Sequence, residues 1–383
     1  MQPYKLISYI IDQEIASVLE TDRYGYLYFS DHIRFNHSLL DFPSLPSVAD
    51  GIHRETDSSP WTWLETNYNG SNNYYHYESW RQGSNPHGGG AFAKRQGVNF
   101  IEHCWEPVDC VLDKVLWDDV KQEGEHVVLH SEYNSQDIKQ LNARGIASVH
   151  WFAHAYLCSE VYFRHYYKLD MVRNYKARSL RSSWINANRL IDNKRKYRIE
   201  FLNLIDVSKG EYSLLDKDPQ TGRTANEIYK YNTVKTNSFD AHINSSAEIC
   251  VDELTPWSTS FLHVVSETVW QEKIHFTEKV FKPVVLHQPF VVLQAPGSLA
   301  YLRSYGFKTF GDWWDESYDT IEDPKERMQA IADIVNSIGL KSLEELETMR
   351  MEMASVLEHN FSHFYENIPA ICLDELRKGI ATL

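Results

Sequence analysis

The sequence predicts an α/β protein of two units, and three observations predict it. The 383 residues are 43% hydrophobic, enough for a substantial core and more than one domain of ordinary size needs. Between residues 99 and 156, short apolar runs alternate with segments of helical period, the pattern of parallel strands joined by helices. A second alternation follows a basic stretch, Arg173 to Arg198, and runs into a strongly helical C-terminal part. The expected boundaries are 1–170, 171–345 and a set of C-terminal helices at 346–383, with a hinge near 168–182.

In chain order, the first 40 residues alternate apolar and polar positions around YGYLYFSDHIRF, which predicts one or two strands with a turn at Gly25. Residues 41–98 are rich in Pro, Ser, Asn, Gly and Tyr and read as long loops with short elements, a length that marks functional or mobile segments. VNFIEHCW, HVVLHSE and SVHWFAHA then predict strands, with DCVLDKVLWDDVKQ and NSQDIKQLNARG as helices between them. Asn134 or Ser135 suits the N-cap of the second helix and Gly145 its stop. Beyond the basic stretch, KYRIEFLNLID reads as a helix leading to GEYSLLD, SSAEICVDEL follows, and TSFLHVVSET reads as a strand. From Thr277 the chain runs TEKVFKPVVLHQPFVVLQAPGSLAYLRSYGFKTF. Glu278–Lys279 opens a helix-like turn, VVLHQPFVVL reads as a strand, and a Pro-Gly loop leads into a short helix. From Pro324 onward the pattern is helical, with Gly339 between two helices.

No apolar run approaches the roughly 18 to 20 residues that span a bilayer, and the N-terminus lacks a basic lead with a clean apolar signal segment. The expectation is a cytoplasmic protein without a membrane span. Cys104, Cys110, Cys158, Cys250 and Cys372 are scattered without CxxC spacing, so they read as buried thiols and not as a disulfide framework or zinc cluster. A net charge of −15 argues against a nonspecific nucleic-acid coat. Locally, nine Lys/Arg (Arg173, Lys176, Arg178, Arg181, Arg189, Lys194, Arg195, Lys196, Arg198) stand against the single acid Asp192. They form either a solvated face or a phosphate-binding one. The sequence has no GxxxxGK[ST] loop and no GxGxxG, and Gly88 to Gly90 lack a preceding strand. The only DxD is Asp216 to Asp218 in LLDKDPQTG, which reads as an Asx-rich turn or a metal-binding pair.

The segment at Thr277 carries the most chemistry. In an α/β domain, helix starts and strand C-termini converge on one crevice, where a carboxylate bonds ribose hydroxyls and an ammonium neutralises a diphosphate. The alternative is a solvated amphipathic helix. Together with INANRLIDNKRKYRIEFLN, LHSEYNSQDIKQLNARG and the HWFAHAY segment, TEK resembles nucleotide-sugar glycosyltransferases of the GT-B architecture. It is most similar to the fucosyltransferase-like group with a TEK donor motif and to transferases encoded by tailed phages, over roughly residues 180 to 320. The resemblance implies two Rossmann-like domains facing a cleft, with an acceptor-side domain at 1–170, a donor domain at 171–345, and the helices of 346–383 packing across both. It implies a UDP- or GDP-type sugar donor as substrate, no tightly bound cofactor and no metal. It also implies that Glu278 bonds the ribose, Lys279 meets the diphosphate and Arg189 or Arg195 clamps the phosphates, with Lys282 and Arg198 in support. LHQPF departs from the LxGxPF-like run of the family at His287–Gln288.

Inverting transfer needs a base for the acceptor proton. Asp31, His87, Glu102, His103, Glu132 and His154 are candidates. Glu102–His103 and His130–Ser131–Glu132 stand out because titratable groups directly follow strand-like runs, where α/β active sites gather. The expected function is transfer of a hexosyl or pentosyl group from a nucleoside-diphosphate sugar to an acceptor hydroxyl. The acceptor is a saccharide or a hydroxymethylated base of phage DNA, the latter through Arg173 to Arg198 with Lys94 and Arg95 in the host cytoplasm. The alternative is a noncatalytic carbohydrate- or nucleic-acid-binding protein on a transferase-like fold.

Overall fold

The protein was analysed as a computed structural model. It describes residues 25–28, 74–76, 99–104, 107–108, 126–166, 178–218, 221–238 and 256–383, and helical positions 7, 10, 11, 14, 15 and 17–19. Asp31, His87, Lys94, Arg95, Cys110, Arg173, Lys176 and Cys250, the expected helix DCVLDKVLWDDVKQ, the segment SSAEICVDEL and nearly all of the expected 41–98 loops lie outside the described residues. Two compact units result: Met1–Tyr166 with Ile368–Leu383, and Tyr167–Asn367. The helices after residue 342 are therefore shared out, those before Ile368 to the second unit and the last to the first.

The first unit is an α/β unit around a parallel sheet. Its strands are β1 (Gly25–Tyr28), β2 (Tyr74–His76), β3 (Asn99–His103), β4 (His126–His130) and β5 (Ala147–His150), in the order β2-β1-β3-β4-β5. All neighbours run parallel. The order reverses between β1 and β3, and in open α/β sheets ligands bind at the strand C-termini beside such a reversal. HVVLH is buried along its whole length, as strands covered on both faces are. Helix α1 (Gln136–Ala143) starts where Ser135 accepts a hydrogen bond from Ile138 N. It stops before Gly145, whose φ of 87° is one that a residue with a Cβ resists. Helix α2 (Ala153–Tyr156) continues as a π-helical stretch, Leu157–Tyr166. At the N-terminus the strand expectation fails at the described positions 7, 10, 11, 14, 15 and 17–19, which are helical. Ile7, Ile11 and Ile15 are buried four residues apart, a helical period that outweighs the local alternation. Gly25 begins β1 and is not a turn.

The second unit is also α/β. Its strands are β6 (Ser182–Asn186), β7 (Gly210–Leu214), β8 (Asn237–Ser238), β9 (Ser260–Ser266) and β10 (Phe290–Leu293), in the order β10-β9-β6-β7-β8. Only β8 runs antiparallel. The order reverses between β6 and β9. Helix α3 (Tyr197–Leu202) lies in the β6-to-β7 connection, α4 (Ala225–Ile228) follows β7, and α5 (Pro256–Thr259) leads into β9. Helix α6 (Glu278–Val285) links β9 to β10, and α7 (Ser298–Ser304) follows β10. Helices α8 (Pro324–Gly339) and α9 (Leu343–Glu352) pack on the sheet, and α10 (Ala354–Glu366) packs on α6.

The run VVLHQPFVVL is not one strand. Its first residues end α6, His287 turns the chain at φ 49°, and β10 begins at Phe290. Helix end and strand are both buried, so continuous apolarity cannot separate them. The final helix of the chain, α11 (Ile368–Ala381), belongs to the first unit and packs on β5 and α2. Among the described residues, no helix is long and apolar enough to cross a membrane, and Cys104, Cys158 and Cys372 are buried.

Candidate functional site

The second unit gathers a polar network where β6 and β9 end. Asn186, the last residue of β6, donates from Nδ2 to Val264 O (2.8 Å) and Ser266 Oγ (3.0 Å). That fixes its amide, leaving Oδ1 to accept from Asn188 Nδ2 at 2.5 Å. Asn188 N in turn donates to Ser213 Oγ, 2.6 Å away at the end of β7. Three adjacent strands are thus tied together at their carboxyl ends by side chains that are wholly buried or nearly so.

Glu267 follows β9 directly and is wholly buried. Its carboxylate accepts from Thr277 N (3.2 Å) and Thr277 Oγ1 (2.6 Å). Thr277 is the N-cap of α6, and its hydroxyl accepts from Lys279 Nζ at 2.9 Å. Lys279 Nζ also donates to Glu278 Oε1 at 3.0 Å. Burial pushes the Glu267 carboxyl above its ordinary pKa and the Glu278 charge adds to this, while Lys279 and the Thr277 hydrogen bonds pull it back. A buried acid, a hydroxyl and an ammonium therefore form one chain at a helix N-terminus, beside the sheet's reversal point. Such a site is suited to sugar hydroxyls and phosphate.

Arg198 supports the same strand end. Buried in α3, it donates to Ser266 O (3.1 Å), Glu267 O (2.8 Å), Leu190 O (2.9 Å) and Tyr197 OH (3.3 Å). Four of its five N–H groups are engaged, so it acts as a strut. The other expected donor residues lie differently. Arg189 is exposed on the loop after β6, and Arg195 pairs with Asp192, three residues before it. Lys282 is buried with Nζ 4.5 Å from the centre of the Trp257 ring. The structure thus gathers Glu278, Lys279 and Arg198 around Glu267, while Arg195 pairs with Asp192 and Lys282 lies over Trp257. The described part of the basic stretch is correspondingly divided between buried, paired and exposed side chains.

Two neighbouring features are already filled. Asp218 of the DKD turn is buried, accepting from Ile191 N (2.8 Å), Thr221 N (2.8 Å) and Thr221 Oγ1 (3.0 Å). The N-terminus of α7 is occupied by Asp319, which takes Ser298 Oγ (3.2 Å), Leu299 N (2.8 Å) and Ala300 N (3.0 Å). Asp319 therefore already holds the amides of Gly297, Leu299 and Ala300 at that helix start.

In the first unit, Glu102 and His103 end β3 beside the reversal point, both buried. His103 aligns with His130 and His130 with His150, so three histidines stand in one row across the carboxyl ends of β3, β4 and β5. The His130 and His150 rings meet edge to face at 5.5 Å, and His150 Nδ1 lies 2.9 Å from Glu375 Oε1. Glu132 is buried, its backbone N donating to His130 Nδ1 at 3.2 Å and its carboxylate accepting from Val108 N. That bond anchors the segment after β3. Among the described residues no group of three His, Cys, Asp or Glu side chains could hold a metal ion.

Sequence reasoning passed over Asn186, Asn188, Ser266, Glu267 and Thr277. The signal was available: NAN after the apolar run of β6 and SET after FLHVV are polar residues directly behind a strand, the criterion that singled out Glu102–His103. The sequence matches no protein-family model and no curated protein.

Proposed function

We propose that the protein is a glycosyltransferase that takes its sugar from a nucleoside-diphosphate donor held at the reversal point of the second unit. The observation that carries this reading is the convergence of Glu267, Glu278 and Lys279 at the start of α6, next to the carboxyl ends of β6 and β9. Glu278 supplies a carboxylate for ribose hydroxyls. Lys279 and the helix N-terminus offset the charge that builds on the departing diphosphate, which requires no metal. The two units are then the acceptor and donor halves of a GT-B-like enzyme, with Glu102 or His103 at the corresponding edge of the first unit as the acceptor's base.

Thermal melting against a panel of UDP-, GDP-, ADP- and dTDP-sugars tests it. At least one donor should raise the melting temperature of the wild type. Lys279→Ala should weaken that donor by about tenfold to a hundredfold, the worth of a charge-assisted hydrogen bond, and Glu278→Ala should weaken it comparably. If no donor shifts melting, the reading fails, and a binding protein for glycan or nucleic acid takes its place.

A further inference from the structure

We propose that Glu267 is a positioning residue of this donor site that exchanges a proton for the diphosphate. Ionised, it holds Lys279 through the Thr277 hydroxyl, and it takes up one proton from solvent as Lys279 turns to the bound diphosphate. The inference rests on the donor-site reading above.

The geometry defines the exchange. Thr277 Oγ1 donates its only proton to Glu267 Oε2 and accepts from Lys279 Nζ, so the ammonium is held one hydroxyl away from a wholly buried carboxylate. Among the described residues the charges that act on the Glu267 carboxyl are Lys279 and Glu278 on α6, and the Arg198 guanidinium of α3 bonds the Glu267 carbonyl. With both acids ionised, two positive and two negative charges balance. A diphosphate diester adds two negative charges and draws Lys279 away. That leaves Glu267 buried, its main electrostatic support withdrawn, beside a new anion. Both changes favour its neutral form. The Thr277 amide and hydroxyl remain as partners for a protonated carboxyl.

By linkage, the ligand then binds best where Glu267 is already protonated. As pH rises from the ligand-free pKa of Glu267 towards its ligand-bound pKa, affinity falls by up to tenfold per pH unit. Nucleoside-diphosphate sugars suit the test, because their phosphodiesters keep a constant charge while the carboxyl titrates.

Calorimetry in buffers of different ionisation enthalpy counts the protons. The wild type should take up close to one proton per ligand between those two pKa values. Glu267→Gln should bind with no proton uptake and a flat pH profile, at least as tightly as the wild type does in acid. Glu267→Asp should restore the slope. A merely structural Glu267 would instead lower affinity equally at every pH when replaced. Binding to the wild type without proton uptake overturns this inference and leaves the donor site standing, and that measurement needs no variant. If neither the sugar panel nor inorganic pyrophosphate binds the wild type or Glu267→Gln, the donor-site reading falls and this inference with it.

Discussion

His263 shows what burial does to a single side chain. It lies in the interior of β9 against Trp257, with ring centroids 5.4 Å apart. Burial first, and the Lys282 ammonium second, push its pKa down from 6.5 to about 3. The folded protein therefore holds His263 neutral where the unfolded chain would protonate it. The resulting stability is full above about pH 6.5 and is lost as pH falls towards 3, on the order of 1 kcal/mol per pH unit. His263→Phe should flatten the acid limb of the stability curve by that amount relative to the wild type, as read by urea unfolding at several pH values. Packing also governs Lys282. Its position one turn into α6 is visible in the sequence, but its direction, towards Trp257, is fixed by packing.

Among the elements, α7 depends on a carboxylate distant in sequence. Asp319 takes the hydroxyl of Ser298 and two amide groups of the first turn while itself buried. Asp319→Ala should destabilise the second unit by about 1–3 kcal/mol, read as a lower urea midpoint with an unchanged slope. The sequence located α7 through its Pro-Gly lead but not its cap, which arrives from 20 residues downstream. Strands β3, β4 and β9 were legible because each is a short apolar run with polar ends, whereas of the expected strand SVHWFAHA only the first residues belong to β5 and Ala153–Tyr156 is helix α2. The helix at Ser135 was legible from its cap and its glycine. The boundary inside VVLHQPFVVL was not, since burial on both sides of His287 removes the contrast that periodicity needs. Nor was the network at Glu267, because Asn186, Glu267 and Thr277 meet only once strand order is known, and strand order is nonlocal.

Over the whole molecule, α11 returns to complete the first unit. Glu375 accepts from Phe152 N at 2.9 Å and meets His150, and a Cβ on Gly379 would stand 2.4 Å from Val149 Cγ1. Gly379→Val should therefore destabilise the first unit by about 1–3 kcal/mol through overpacking. Removing residues 368–383 should strip hydrogen-exchange protection from β4 and β5 while leaving β9 and β10 protected, because the second unit contains none of that segment. Equal loss in both sheets would contradict the division. The same return sets an order in time. Domains generally fold as the ribosome delivers them, the N-terminal one first. Here the helix that closes the first unit is synthesised only after every residue of the second. The nascent second unit can thus reach its native form while the first still exposes the face of β5 that α11 will cover. The earlier-made half is the later to be finished, and for that interval it is the half exposed to chaperones and to aggregation.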